Sequence, residues 1–445
     1  MKRRDFLKTS AALSTTFLFS RSLRSNTTAP LWVHLHAGGG WDPTMLCDPY
    51  PEVNNLDFSV KNTTQTQAGE TIAYAGLGGN DTDFTQNTGY GFGTFFETYK
   101  NQMLVLNGVN PKTAGHFSGA RFAASGKLDP GYPSIFALAA ALGGPEKAMA
   151  YIVGPSASYS LTGGHVPETR LSNSNHLDEA INPNSIFHNT QVIYREDEYE
   201  LLNAAKAARI QRLISSETNL ERQHTMSQFA TGRAGTPLVQ SMTSALAEGP
   251  YHNRLGVNDK TKLAQHIFDN GLRALIGYQQ GLTVAASLNA SVFDTHGDHD
   301  NLHPTGLQNT LIAIDWLIQE AQLRTVPMVI VVTSEFGRTS SYNVAEGKDH
   351  WPNTSWLLFQ TSDLNLFNGG RTIGASAFDA NTWKIHSKKI DPVTLLPTDD
   401  EDENGIYLTP DIIHLSLREM MGITQSQYGT HLYRIDGVPL SGLLF

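Results

Sequence analysis

TGLQNTLIAIDWLIQEAQLRTVPMVIVVTSEFGR, residues 305–338, contains the step that decides the fold. Its first twenty residues place Leu307, Leu311, Ile314, Leu317 and Ile318 on one face of a helix. After Pro327, Met328–Thr333 is a short apolar run that reads as a buried strand. Then Ser334, Glu335, Phe336, Gly337 and Arg338 follow with neither a helical nor a strand repeat. A helix feeding a strand buried on both faces is the unit of an α/β protein with a mostly parallel sheet. In such sheets ligands bind beyond the carboxyl ends of the strands. Glu335 and Arg338 therefore stand where a site is expected.

Working outward, further buried strands are expected at Leu31–His36, Met103–Val109, Ala148–Val153, Val192–Tyr194, Ser291–Phe293 and Trp356–Phe359. Thr409 and Pro410 open a helix that runs to Gly422. Two long helical stretches, about 196–231 and 259–288, interrupt the alternation and read as a helical insertion at about 195–290 within one domain spanning 30–445. The expected architecture is a three-layer α/β sandwich around a mostly parallel sheet. Residues 55–95, rich in Asn, Thr, Gly and Gln, read as a long loop or lid. TDDEDEN (398–404) reads as a solvated acidic turn, with calcium binding as the alternative.

Composition limits the function. The 445 residues, 40% hydrophobic, carry a formal net charge of −10, which argues against a nucleic-acid partner. With Cys47 the single cysteine, an intrachain disulfide and a thiolate-cluster metal site are excluded. Cys47 itself reads as a buried structural thiol or, alternatively, a catalytic one. MKRRDFLKTSAALSTTFLFSRS, at the start, sets Arg3–Arg4 and Phe6-Leu7-Lys8 before a short apolar run. That order is the pattern of a twin-arginine signal over about residues 1–25. It implies the export machinery as a partner, folded export and a periplasmic or secreted location. The apolar run is too short for a stable membrane span.

The segments that follow the expected strands share a chemistry. GGGWD ends in Asp42, and GHFSGARF holds His116, Ser118 and Arg121. FDTHGDHD holds Asp294, His296, Asp298, His299 and Asp300. SEFGRT brings Glu335 and Arg338, and GKDHWPN brings Asp349 and His350 just before the Trp356 strand. Carboxylates and imidazoles without thiolate suit zinc or manganese, or magnesium or calcium where oxygen dominates. Singly, such an Asp also caps helices and such a His is also a satisfied structural residue. The density of FDTHGDHD points to a ligand-bearing loop, with a solvated loop as the alternative.

Taken in order, GGGWD, GHFSGARF, FDTHGDHD, SEFGRT and GKDHWPN resemble the blocks of the twin-arginine-exported domain-of-unknown-function family 1501, over about residues 30–440. That family is placed in the alkaline phosphatase and sulfatase-like superfamily. The resemblance implies an alkaline-phosphatase-like sandwich with one or two divalent metals at its strand ends. It casts Asp42, Asp294, His296 or His299, Glu335, and His350 with Asp349 as metal ligands. A Ser or Thr at a helix start would attack phosphorus or sulfur, which singles out Ser118; a helix cap explains the same serine. The chain departs from the pattern at Phe336, where better-known members carry His, and it lacks the Cys-x-Pro-x-Arg of formylglycine sulfatases.

The chemistry expected from these residues is metal-assisted hydrolysis of a phosphate or sulfate ester, small or polysaccharide. Arg121 and Arg338 would clamp oxyanion oxygens, or else form structural ion pairs. His116 would act as a general acid or orient a ligand. The rival expectations are a non-catalytic metal- or carbohydrate-binding protein on the same scaffold, and an assembly partner for other exported proteins.

Overall fold

The computed structural model describes residues 29–77, 91–154, 159–170, 184–186, 191–248, 262–290, 292–440 and 442–444, so the expected export signal lies outside the described residues. The central sheet has eight strands: β1 (Leu31–His36), β2 (Met103–Val109), β3 (Tyr151–Val153), β4 (Glu168–Arg170), β5 (Ala285–Asn289), β6 (Met328–Thr333), β7 (Thr354–Gln360) and β8 (Arg371–Ile373). Their spatial order is β8-β2-β7-β6-β1-β5-β3-β4. β7 runs antiparallel to both its neighbours, while the other pairs are parallel.

β1 is buried along its whole length, and its side chains alternate between two cores. Leu31, Val33 and Leu35 face one core, shared with the helices α1 (Phe92–Tyr99), α7 (Lys262–Gln279) and α8 (His299–Leu323). Trp32 faces the other, shared with α2 (His116–Ser125), α3 (Ile135–Gly143) and α9 (Pro410–Met420). Helices thus cover both faces of the sheet, giving the expected three-layer α/β sandwich. Burying each Leu or Val of these strands contributes about 1.5–3 kcal/mol. The remaining helices, α4 (Glu196–Ser216), α5 (Leu220–Ala234) and α6 (Thr236–Glu248), follow one another, and α4 and α5 bury no residue. Among the described residues no helix is long and apolar enough to cross a membrane.

Several local expectations change. The Trp356 strand is antiparallel, because the Gly337–Tyr342 and Lys348–Trp351 hairpin reverses the chain after β6. That reversal sets the residues preceding β7 at the rim where β6 ends. The strand before FDTHGDHD is Ala285–Asn289, in register with β1; of the expected strand Ser291–Phe293, Ser291 lies outside the described residues, and Val292 and Phe293 are not in a strand. Phe293 is buried for another reason, packing edge-on against Trp41 and over His303. The helical reading near 259–288 therefore ends at Gln279, and α7 packs on the sheet. Gln191–Val192 pairs with Ser185–Ile186 outside the central sheet, and Val192 is exposed. The 55–95 stretch holds a hairpin, Phe58–Asn62 with Ala73–Leu77, and the start of α1.

Candidate metal centre

Four segments meet at the carboxyl edge of the sheet. β1 and β6 pair so that His36 lies opposite Thr333. The glycine turn after β1 then folds onto the loop after β5. A Cβ at Gly39, whose φ is +109°, would stand 2.4 Å from the Asp294 nitrogen, so only glycine permits this approach. Likewise a Cβ at Gly119 in α2 would meet the Glu335 carbonyl oxygen at 2.6 Å. Two glycines therefore bring His116, Asp294 and Glu335 together.

Three imidazoles converge on Asp294, and each is held by its Nδ1. His116 Nδ1 lies 2.9 Å from Glu335 Oε1. His296 Nδ1 lies 2.8 Å from Asp349 Oδ1. His350 Nδ1 lies 2.8 Å from the Ala114 carbonyl oxygen. A carbonyl and a carboxylate accept only, so each Nδ1 carries a proton. The three Nε2 atoms lie toward one another and toward the Asp294 carboxylate. His296 Nε2 is 2.9 Å from His350 Nε2 and 3.2 Å from Asp294 Oδ1. His350 Nε2 is 3.3 Å from the same oxygen, and His116 Nε2 is 3.6 Å from Asp294 Oδ2. Phe336, fully buried, is the floor of the cluster, with its ring centroid 4.2 Å from His350 and 5.0 Å from His116. A cavity of about 240 Å³ opens beside it, lined by Gly38, Gly39, His116, Phe117, Ala120, Asp294 and Glu335.

The charges are consistent with this geometry. Burial would raise the Glu335 pKa, but His36 and His116 hold it far below the usual carboxylate range. The hydrogen bond to Glu335 in turn raises the pKa of His116. At Asp294 partial burial is outweighed by the Arg338 and His350 contacts, and the carboxyl stays low.

A second cluster of the same residue types lies nearby and is closed. Asp42 Oδ1 accepts the Thr44 N–H and hydroxyl at 3.0 and 2.6 Å. Its Oδ2 accepts from Lys348 Nζ at 2.8 Å and His299 Nε2 at 3.2 Å. Thr295 Oγ1 bridges His299 and His303 at 2.7 and 3.0 Å, and His303 Nε2 accepts the Asp42 N–H at 2.7 Å. Asp42, His299, His303 and Lys348 are all fully buried. Burial would raise the Asp42 pKa, yet the Lys348 ammonium and the imidazoles hold it well down. Burial keeps His303 neutral.

The family model described as "Protein of unknown function (DUF1501)" matches residues 29–377. The chain belongs to this family. Among solved structures this DUF1501 chain is similar to the alkaline phosphatase from the Antarctic bacterium TAB5, at 11% identity and a TM-score of 0.30, covering 75% of this chain and 92% of that one. A histidine-to-glutamate variant of that enzyme, with Mg bound in its M3 site, gives 11% identity and a TM-score of 0.32, over 75% and 91%. No curated protein matches the chain.

The eleven candidate residues of the DUF1501 chain sort into separate environments. Asp294, His116 and His350 form the open cluster, their donor atoms within 4.8 Å of one another as a metal ion requires, and His296 Nε2 lies beside them, next to His350 and Asp294. Asp349 and Glu335 hold the Nδ1 atoms of two of these imidazoles, from behind. Asp42 and His299 belong to the closed cluster, where four donors already fill the Asp42 carboxylate. Arg338 is buried, and its guanidinium is spent on the Gly39, Gly40 and Lys348 carbonyls and on Asp294 at 2.9 Å. Its structural ion pair is thus with Asp294. Ser118 is the third residue of α2, whose cap is Gly115, so it is not the N-cap. Its hydroxyl bonds Thr113 Oγ1 at 2.8 Å and the Gly115 carbonyl at 3.1 Å. Arg121 follows Phe117 by one helical turn, and its Nε is buried without a hydrogen-bond partner. Sequence reasoning missed His36, Thr333 and Lys348; His303 was noted after FDTHGDHD but given no role. The signal for His36 was two histidines, His34 and His36, on an otherwise apolar strand, where a polar ring needs a buried partner.

Proposed function

We propose that this protein is an exported metal-dependent hydrolase of phosphate or sulfate esters, with one divalent ion held by His116, Asp294, His296 and His350. One observation supports the reading above all. Donor atoms of His116, Asp294 and His350 lie within 4.8 Å of one another beside an open cavity, with His296 Nε2 2.9 Å from His350 Nε2, a set that a bound cation would draw together. Zinc is the ion that best suits three imidazoles and a carboxylate. When bound, such an ion lowers the pKa of water and neutralises charge developing on the transferred group. The chain's own residues fix the site: Glu335, Asp349 and the Ala114 carbonyl set the tautomers, and Arg338 anchors Asp294. Export through the twin-arginine route, already folded and loaded, places the protein in the periplasm or outside the cell.

A second reading has its own observation. The Ser118 hydroxyl is bonded to Thr113, and the Arg338 donors are spent, so the cluster holds neither a positioned hydroxyl nucleophile nor a free guanidinium from these residues. That favours a metal- or carbohydrate-binding protein without turnover. Natively exported protein, assayed for metal and against a panel of phosphate and sulfate esters, separates the two. Turnover that tracks bound metal and disappears in Asp294→Ala supports the hydrolase. Bound metal with no turnover on any ester supports the binding protein.

A further inference from the structure

The open cluster is braced from deeper in the core than its four candidate ligands. His36, the last residue of β1, is buried, and its Nε2 lies 3.1 Å from Glu335 Oε2, an ion-pair contact that is off the line of a hydrogen bond and leaves Nε2 without another partner. Its Nδ1 is 3.0 Å from Thr333 Oγ1, which is 2.8 Å from His34 Nε2. The His34 ring stacks on Phe136 at 4.8 Å, with 5° between the planes. A chain of contacts, His34–Thr333–His36–Glu335–His116, runs from the sheet interior to the site, with hydrogen bonds at every link but His36–Glu335, which is an ion-pair contact.

The two oxygens of Glu335 are used differently. Oε1 takes the Gly39 N–H at 2.7 Å and His116 at 2.9 Å. Oε2 has His36, and beyond it only Ser334 Oγ at 3.4 Å, a hydroxyl that donates to the Ala37 carbonyl at 2.8 Å. Resting on the metal reading above, we propose that His36 is a positioning residue for the metal centre. By occupying Oε2 it locks the carboxylate so that Oε1 faces His116 Nδ1 and the His116 Nε2 faces the ion. Without His36, Oε2 is a buried anionic oxygen with no close donor, which a carboxylate relieves by rotating. That rotation removes the fixed acceptor that orients His116. Loss of such an orienting partner weakens metal binding by about 10–100-fold.

The test is zinc affinity, measured by chelator competition on the full chain for wild type, His36→Leu, His36→Gln and Thr333→Val. His36→Leu is expected to weaken zinc by about 10-fold or more. His36→Gln, whose amide N–H reaches toward the same oxygen, is expected to recover most of that loss. The visible spectrum of the cobalt-substituted protein should change in the Leu variant and return in the Gln variant. Thr333→Val frees His36 without baring a charge and must also weaken zinc; unchanged affinity there overturns the proposal even where His36→Leu does not fold. Equal affinity in wild type and His36→Leu overturns the proposal and leaves the metal centre standing. Wild-type protein that binds no zinc overturns both.

Discussion

The protein carries two clusters of aspartate and histidine that both draw on the FDTHGDHD segment, and they are opposites. Around Asp42 the carboxylate has four donors, the two imidazoles are linked through Thr295, and a lysine ammonium balances the charge. Around Asp294 three imidazoles turn their Nε2 atoms toward a half-exposed carboxylate that Arg338 bonds at 2.9 Å. The first is complete as it stands and contributes to stability. The second, on the reading proposed above, is completed by a cation. Residue type does not distinguish them; the count of donors and acceptors does.

That contrast is breakable by mutation. The largest effect is expected from replacing His296 and His350 together by Ala, which removes two of four donors at positions 45% and 23% exposed. Bound metal should fall below detection by elemental analysis, while the far-UV circular dichroism is unchanged. Lys348→Met does the reverse. It strands the Asp42 charge in the core and should cost about 3–5 kcal/mol in urea unfolding. Folded Lys348→Met protein should still bind metal. Asp349→Asn removes the carboxylate behind His296 and should weaken metal by about 10–100-fold. Ser118→Ala should be nearly silent, shifting stability by no more than about 0.5 kcal/mol and leaving ester turnover as in wild type.

Acid separates the clusters in a single titration. Burial would raise the Asp42 pKa, but Lys348 and the imidazoles hold it well below its ordinary value. The stability from its ionisation is therefore fully present above about pH 4, and it is lost only as pH falls further. Imidazole ligands must shed a proton to bind metal, and His116 holds its proton to a higher pH than usual because of Glu335. Between pH 7 and 5, dialysed protein should release metal while its circular dichroism stays native; unfolding together with release would contradict the distinction.

Much of this was legible in the sequence. The helix-to-strand step at 305–333 carried the α/β class, because a fully apolar strand after an amphipathic helix needs cover on both faces. FDTHGDHD, read from the sequence as a ligand-bearing loop, divides: Asp294 and His296 face the open cluster, while His299 begins α8 and turns inward. Two side chains three residues apart across a loop-to-helix boundary point in directions that no period encodes. Lys348 was invisible for a related reason. Its neighbours Asp349 and His350 in the same hairpin strand are half-buried or exposed, whereas Lys348 reaches into the core to Asp42 and Asn54. Nor does local pattern reveal that β7 runs antiparallel, which is what lets His350, ahead of that strand, reach the rim.

The most direct test is a crystal structure of the natively exported protein, with anomalous data collected on either side of the zinc absorption edge. The account predicts one peak, about 2.0–2.2 Å from the Nε2 atoms of His116, His296 and His350 and from an Asp294 oxygen. A peak at Asp42 and His299, or no peak in protein whose His116, His296 and His350 are ordered as described, would contradict it.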